Sequence, residues 1–266
     1  MMDKAMRPLT LFYILIVLFL FFPILIVVPI SFSNGRFLSF PPEEFGLRWY
    51  REYFQDPIWI SATLRSVRVA ISSSLAAVFV GTLVVIGLGR RRTRKSGALT
   101  SLFLAPAIVP NIIVALGVFI LAIKVGLPDN ELTLIAAHTA ICLPFVILIV
   151  GSAYRQIDPT LEKAARIMGA GPVRAFMAAT FPALAPSFIA ASIFAFFISF
   201  DELIISLFVM SSAETLPMRI WNDLRFEINP TIAAISVFFV VITTATMTFA
   251  ELLRRKAERR NRVPST

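Results

Sequence analysis

The sequence predicts an all-α, polytopic membrane protein with six transmembrane helices and both termini in the cytoplasm. Three observations lead there. Apolar residues make up 58% of the 266 positions and the mean hydropathy is +0.82, well above a soluble domain. Those residues come in six long blocks rather than at the periods of 3.6 or 2 that mark half-buried soluble elements. Each block is about as long as the roughly 20 residues a helix needs to cross the hydrocarbon core. With an inside start, seventeen lysines and arginines fall in inner segments and six in outer loops, the asymmetry that orients membrane proteins. The net charge of +9 therefore encodes topology and does not point to nucleic acid.

The first block, residues 9–32, is too long for the apolar stretch of a signal peptide and no small-residue cleavage site follows it. It reads as a retained, peripheral span in which Pro23 and Pro29 are kinks tolerated among neighbouring helices. The outer loop after it is rich in Trp, Tyr and Phe, which favour the membrane interface. Its "LRWYREYF" stretch reads as a short helix lying flat there, an anchor rather than a binding site. The core spans follow within residues 61–253. The second block is 61–89, with Ser72, Ser73 and Ser74 as close-packing residues. A basic inner turn, "RRRTRK", holds orientation and touches anionic lipid. Blocks three and four, 98–123 and 132–153, are joined by the outer turn "KVGLPDNELT". The fourth contains the lone cysteine, Cys142, so an intrachain disulfide is impossible. It also contains the lone histidine, His138, read as a packing or hydrogen-bonding residue. Blocks five and six are 183–210 and 231–253.

The longest inner segment, residues 154–182, has its own structure. Asp158 followed by Pro159 is an N-cap with proline at the first helical position. "TLEKAARIM" is helix-forming, and Gly169 can supply a left-handed C-terminal cap. Gly171 and Pro172 restart a second short helix that Pro182 is expected to end. Leu161, Ala165 and Met168 share a stripe at spacings of four and three. The small pair Ala164 and Ala165 permits close approach, and Lys163 and Arg166 flank the stripe. This helix-turn-helix is either a docking surface or a plain loop helix.

"LEKAARIMGAGPVRAFMAATFPALAPS" resembles the cytoplasmic loop of binding-protein-dependent ABC transporter permeases. That family has a Glu-Ala-Ala stretch, a glycine four residues after the second alanine, and a Leu-Pro about a dozen residues later. Ala164, Ala165, Gly169 and Pro182 match; Lys163 stands where the pattern has glutamate, although Glu162 precedes it. "SFDELIISLFV" and "TLPMRIWNDLRFEINPTIAAISVF" resemble the spermidine/putrescine-type branch. The resemblance implies a single permease domain over residues 1–266 of an ATP-driven importer. In it, Leu161, Glu162, Lys163, Ala164, Ala165, Met168 and Gly169 couple to a separate ATPase. Implied partners are ATP-binding cassette ATPase subunits carrying ATP and Mg, a homologous permease subunit, an extracytoplasmic solute-binding protein and the lipid bilayer of the bacterial cytoplasmic (inner) membrane. The implied cargo is a polyamine or related small amine-containing solute. No cofactor is expected in this chain. It contains no G-x-x-x-x-G-K-[ST] phosphate loop, no H-E-x-x-H and no Cys-rich cluster, so it is not expected to be an enzyme.

Asp201 and Glu202 interrupt the fifth block. From 188 to 209 the block holds fourteen Phe, Ile, Leu or Val residues, worth roughly −6 kcal/mol of insertion. The acids cost about 2.5 to 3.5 kcal/mol each, so the sums nearly cancel. Insertion then requires that the acids face the bundle interior or water. At 1.5 Å per residue Asp201 lies about 12 Å from Val209, in the outer half. Arg65 and Arg68 lie at similar or shallower depth on one face of the second span. Two readings stay open: Asp201 and Glu202, near Ser199, line a path for cationic solute, or they pair with Arg65 and Arg68 and lock helix packing. A rival function is an ion- or proton-coupled secondary carrier that uses the two acids as its relay; a membrane scaffold without transport is a third.

Overall fold

A computed structural model of the chain describes residues 2–90, 94–226 and 230–261. Twelve α-helices account for nearly all of them: α1 (Met2–Ser31), α2 (Arg48–Gln55), α3 (Pro57–Arg90), α4 (Arg94–Leu104), α5 (Asn111–Lys124), α6 (Glu131–Tyr154), α7 (Pro159–Ile167), α8 (Pro172–Ala175), α9 (Phe181–Phe200), α10 (Ile204–Val209), α11 (Leu216–Phe226) and α12 (Thr231–Asn261). Among the described residues the β-structure is one isolated bridge, Ser33 to Phe45. Of the basic turn, Arg91 and Arg92 lie outside the described residues, as does Arg262.

Among the described residues, four helical stretches are long and apolar enough to cross a membrane: Thr10–Ser31, Pro57–Gly89, Glu131–Tyr154 and Pro172–Phe200. A fifth arises if α4 and α5 form one span bent by 97° between Gly97–Ala107 and Asn111–Lys124. The third block is therefore not the straight helix expected over 98–123. Pro106 and Pro110 lack the N–H that would continue the ladder, and a 3₁₀ turn over Ala105–Ala107 fills the break. α12 opens with an apolar stretch, Thr231–Ala245, shorter than a span.

The chain packs as two compact units, Met1–Ile60 with Ile220–Thr266, and Ser61–Arg219. In the first, α1 and α2 both pack on α12. The Tyr53 and Phe54 rings lie 6.0 and 5.4 Å from Phe238. Trp49 donates from Nε1 to the Gly35 carbonyl at 3.1 Å, and Tyr50 donates to Ser31 Oγ at 2.9 Å. α2 is the short amphipathic helix expected in the outer loop: Trp49 and Tyr53 are buried while Arg48, Arg51 and Glu52 are not.

In the second unit α6 is central. Leu134, Ile141, Cys142, Val146 and Val150 on it are buried in one cluster with Val69 and Ala77 of α3 and Leu184, Ala191 and Ala195 of α9. Small residues set the spacing. A Cβ on Gly81 would come within 2.7 Å of Val146 Cγ1, so that position takes no side chain unless Val146 moves. Ser73 donates across the same interface to the Ile135 carbonyl at 3.1 Å, and Ser74 donates back to Ile71 at 3.0 Å. With little hydrophobic drive between helices in lipid, such close packing and hydrogen bonding carry the association.

Candidate functional site

The fifth block is not one helix to Met210. α9 stops at Phe200, Asp201–Leu203 are outside any helix, and α10 resumes for six residues. The sequence explains the break locally. Glu202 turns its carboxylate onto its own chain, where Oε1 accepts from the Ile205 N–H at 3.0 Å. A side chain that takes a backbone donor three residues on competes with the helical ladder and starts a new helix instead. Oε2 of the same carboxylate accepts from Asn111 Nδ2 at 2.7 Å. Asn111 is the first residue of α5, just past the break of the third block. Two interrupted helices thus meet, and one carboxylate joins their restart points.

The two adjacent acids are not equivalent. Glu202 is 7% exposed with both oxygens engaged. Asp201 is exposed and, among the described residues, accepts no hydrogen bond and joins no ion pair. Below the break lies a buried polar cluster. His138 Nδ1 is 2.8 Å from Ser199 Oγ, and Nε2 is 3.4 Å from Ser206 Oγ. Ser206 Oγ also donates to the Glu202 carbonyl at 2.9 Å. Cys142 donates from Sγ to the Ala195 carbonyl at 3.3 Å.

The arginines expected as possible partners of the acids are elsewhere. Arg68 forks onto Glu131, Nε to Oε1 at 2.5 Å and Nη2 to Oε2 at 2.6 Å. Arg65 Nε lies 3.7 Å from the same carboxylate, and its Nη1 donates to the Glu214 carbonyl at 3.1 Å. Pairing of Asp201 or Glu202 with Arg65 or Arg68 is thus replaced by pairing with Glu131, which the fold brings to the head of α6 facing α3. Beside this group, Ser66 Oγ accepts from the Leu216 N–H at 2.8 Å, and Arg219 lies 3.7 Å from the Glu214 carboxylate. Asp129, in the turn before α6, accepts from the backbone N–H groups of Ser211 at 2.8 Å and Ser212 at 3.1 Å. Those donors hold its carboxyl down at about 2.

The inner segment forms the helix-turn-helix that its sequence signals. Asp158 caps α7, with Oδ1 accepting from the Thr160 N–H at 2.8 Å, and that bond lowers its carboxyl pKa. Gly169 takes φ +91°, and Ala170 N–H closes back to the Ala165 carbonyl at 3.1 Å, a left-handed C-terminal cap. Leu161, Lys163, Ala164 and Met168 are exposed; Ala165 and Glu162 are half-buried. Ile167 and Met168 stand out at 86% and 83% exposure. One expectation fails. Pro182 does not end the second helix, because a π turn over Phe176–Thr180 carries α8 into α9 without a stop. Pro182 stands directly after that π turn, the local rewinding by which a continuing helix accommodates a residue without an N–H. Thr180, in that turn, donates to Glu162 Oε2 at 3.1 Å and so joins α7 to the foot of α9.

With this geometry in hand, similarity to known proteins is informative. The profile of the family described as "Binding-protein-dependent transport system inner membrane component" matches residues 77–259. The chain belongs to that family. It is 31% identical over 230 residues to the putrescine transport system permease protein PotI of Escherichia coli (strain K12), covering 84% of this chain and 82% of PotI. It is 29% identical over 247 residues to the spermidine/putrescine transport system permease protein PotC of Haemophilus influenzae, covering 92% and 95%. The fold matches a bacterial ABC transporter involved in import of the acidic polysaccharide alginate, with a TM-score of 0.75 at 14% identity over 94% of this chain and 96% of that one. The same kind of transporter, in complex with an alginate pentasaccharide-bound periplasmic protein, matches with a TM-score of 0.71 at 16% identity over 96% and 94%. This permease is therefore a membrane component of a transport system, as the permease subunits it resembles are.

Several residues of the permease's candidate site escape a reading of the sequence. Asn111 stands directly after Pro110, and a polar residue following proline inside an apolar block is a visible restart signal. Glu131 looks like part of a turn, but its place beside the Asn130 cap puts it at the head of α6, level with Arg65 and Arg68. Thr180 carries no such signal.

Proposed function

We propose that this permease is one half of the transmembrane pair of an ATP-driven importer for a polyamine or a related small amine-containing solute. The observation that carries the reading is the division of labour at the α9–α10 break. Glu202 is consumed by Ile205 and Asn111, which leaves Asp201 exposed, unpaired among the described residues and able to meet a cationic group. The Glu131 carboxylate offsets one of the two charges of Arg65 and Arg68, which weakens their opposition to a cationic cargo. The putrescine and spermidine/putrescine permeases among its relatives fit that preference.

In this reading the chain acts as a single domain, with six spans and both termini on the cytoplasmic side of the bacterial inner membrane. A homologous permease completes the pair. An extracytoplasmic binding protein delivers solute to the outer face, and two separate ATPase subunits, which hold ATP and Mg, dock on α7. Leu161, Ala165, Ile167, Met168 and the turn at Gly169 form the docking ridge, and Glu162 and Lys163 flank it. Closure of the ATPases on ATP moves α7, and the continuous helix from α8 into α9 carries that motion towards Asp201.

The test is uptake of radiolabelled putrescine and spermidine by the assembled transporter. Asp201→Asn is expected to lower it about tenfold or more, the size of one charged hydrogen bond lost, while Glu202→Gln acts through assembly. Full uptake in Asp201→Asn defeats the path-lining assignment. Uptake that survives loss of the ATPase but collapses with the proton gradient defeats the importer reading in favour of a proton-coupled carrier.

A further inference from the structure

His138 has no role in the reading above, yet it is 1% exposed and touches both sides of the α9–α10 break. Ser199 belongs to the last turn of α9 and Ser206 to α10, and one imidazole reaches a hydroxyl on each. The directions of these bonds follow from donor counting. A carbonyl only accepts, so the single proton of Ser206 Oγ is committed to the Glu202 carbonyl at 2.9 Å. His138 Nε2 must then donate to Ser206, and Nδ1, left as the acceptor, takes the proton of Ser199. The result is a one-way chain: Ser199 hydroxyl to His138, His138 to Ser206, Ser206 to the Glu202 carbonyl. It ends on the residue whose carboxylate already binds Ile205 and Asn111.

Unwound backbone inside a membrane bundle survives only where its polar groups are satisfied. From this we infer that His138 is a positioning residue: it pins both sides of the Asp201–Leu203 break and thereby fixes how Asp201 is presented. The inference rests on the reading that Asp201 faces the solute. It differs from simple core packing in requiring one acceptor and one donor on the same ring. The neighbouring turn of α6 supports the register, since Cys142, four residues on, bonds the Ala195 carbonyl of α9 from the same face.

The experiment uses the assembled transporter in proteoliposomes, with Asp201→Cys in a Cys142→Ala background, labelled by a membrane-impermeant maleimide. Adding His138→Ala or Ser206→Ala is expected to slow labelling by about three- to tenfold, the effect of one or two lost buried hydrogen bonds. His138→Gln, which keeps an acceptor and a donor, recovers part of that loss. The His138→Ala/Ser206→Ala double variant is no slower than either single one, because both cut the same chain. If His138→Ala fails to assemble, Ser206→Ala and His138→Gln carry the test. Labelling within about twofold of the parent, or effects that multiply in the double variant, overturns the clamp. A parent that does not label overturns the solute-facing reading instead.

Discussion

Asp129 holds two loops together with one side chain. It sits at φ +51°, a left-handed conformation that aspartate tolerates better than most residues, and its carboxylate meets two successive backbone N–H groups at Ser211 and Ser212. Because the folded carboxyl is held at about 2, below its ordinary 3.8, the stabilisation it supplies is present above that ordinary value and lost as pH falls through 2. Hydrogen exchange checks this. Protection of the Ser211 and Ser212 amides should persist at about pH 5, fall towards pH 2, and be absent at both in Asp129→Ala. The same contrast between engaged and free carboxylates separates Glu202 from Asp201, and sequence alone could not make it. Two adjacent acids in an apolar run look alike until the backbone shows which one has captured an amide.

At the scale of elements, the contact between α3 and α6 depends on the missing side chain of Gly81. Gly81→Ala should cost about 1–3 kcal/mol of stability by overpacking, and Val146→Ala in the same chain should recover part of it; thermal unfolding of the solubilised protein measures both. Helix positions were largely legible. α1, α3 and α6 lie where continuous apolar blocks predict them, and α7 starts at the expected Asp158 cap and ends just before the expected Gly169 turn. The interruptions were not. Hydropathy sums over a block and is blind to a carboxylate taking the Ile205 N–H, so 183–210 read as one span. In 98–123 the signal was present, since Pro106 and Pro110 sit four apart, but apolar length outweighed it. The pairing of Arg65 and Arg68 with Glu131 was hidden for another reason: depth along two spans does not tell which faces meet.

At the scale of the whole molecule, the end of α7 leaves large apolar side chains exposed although it lies outside the stretches long and apolar enough to cross a membrane. Ile167 and Met168 are almost fully exposed, so replacing both with Asp should leave the fold intact while co-purification of the ATPase is lost. Retention of the ATPase by that variant would place docking elsewhere. What α7 can transmit depends on the π turn at Phe176–Thr180. Such a turn accommodates one residue more than an α-turn does, and each residue of an α-helix advances the side-chain direction by about 100°. Wound as ordinary helix, the same five residues would leave α9 out of phase by about that angle, and Ser199 would point away from His138. The π turn therefore acts as the timing mark of α9: it sets, from the end of the helix nearest α7, which side chains face the core at the opposite end.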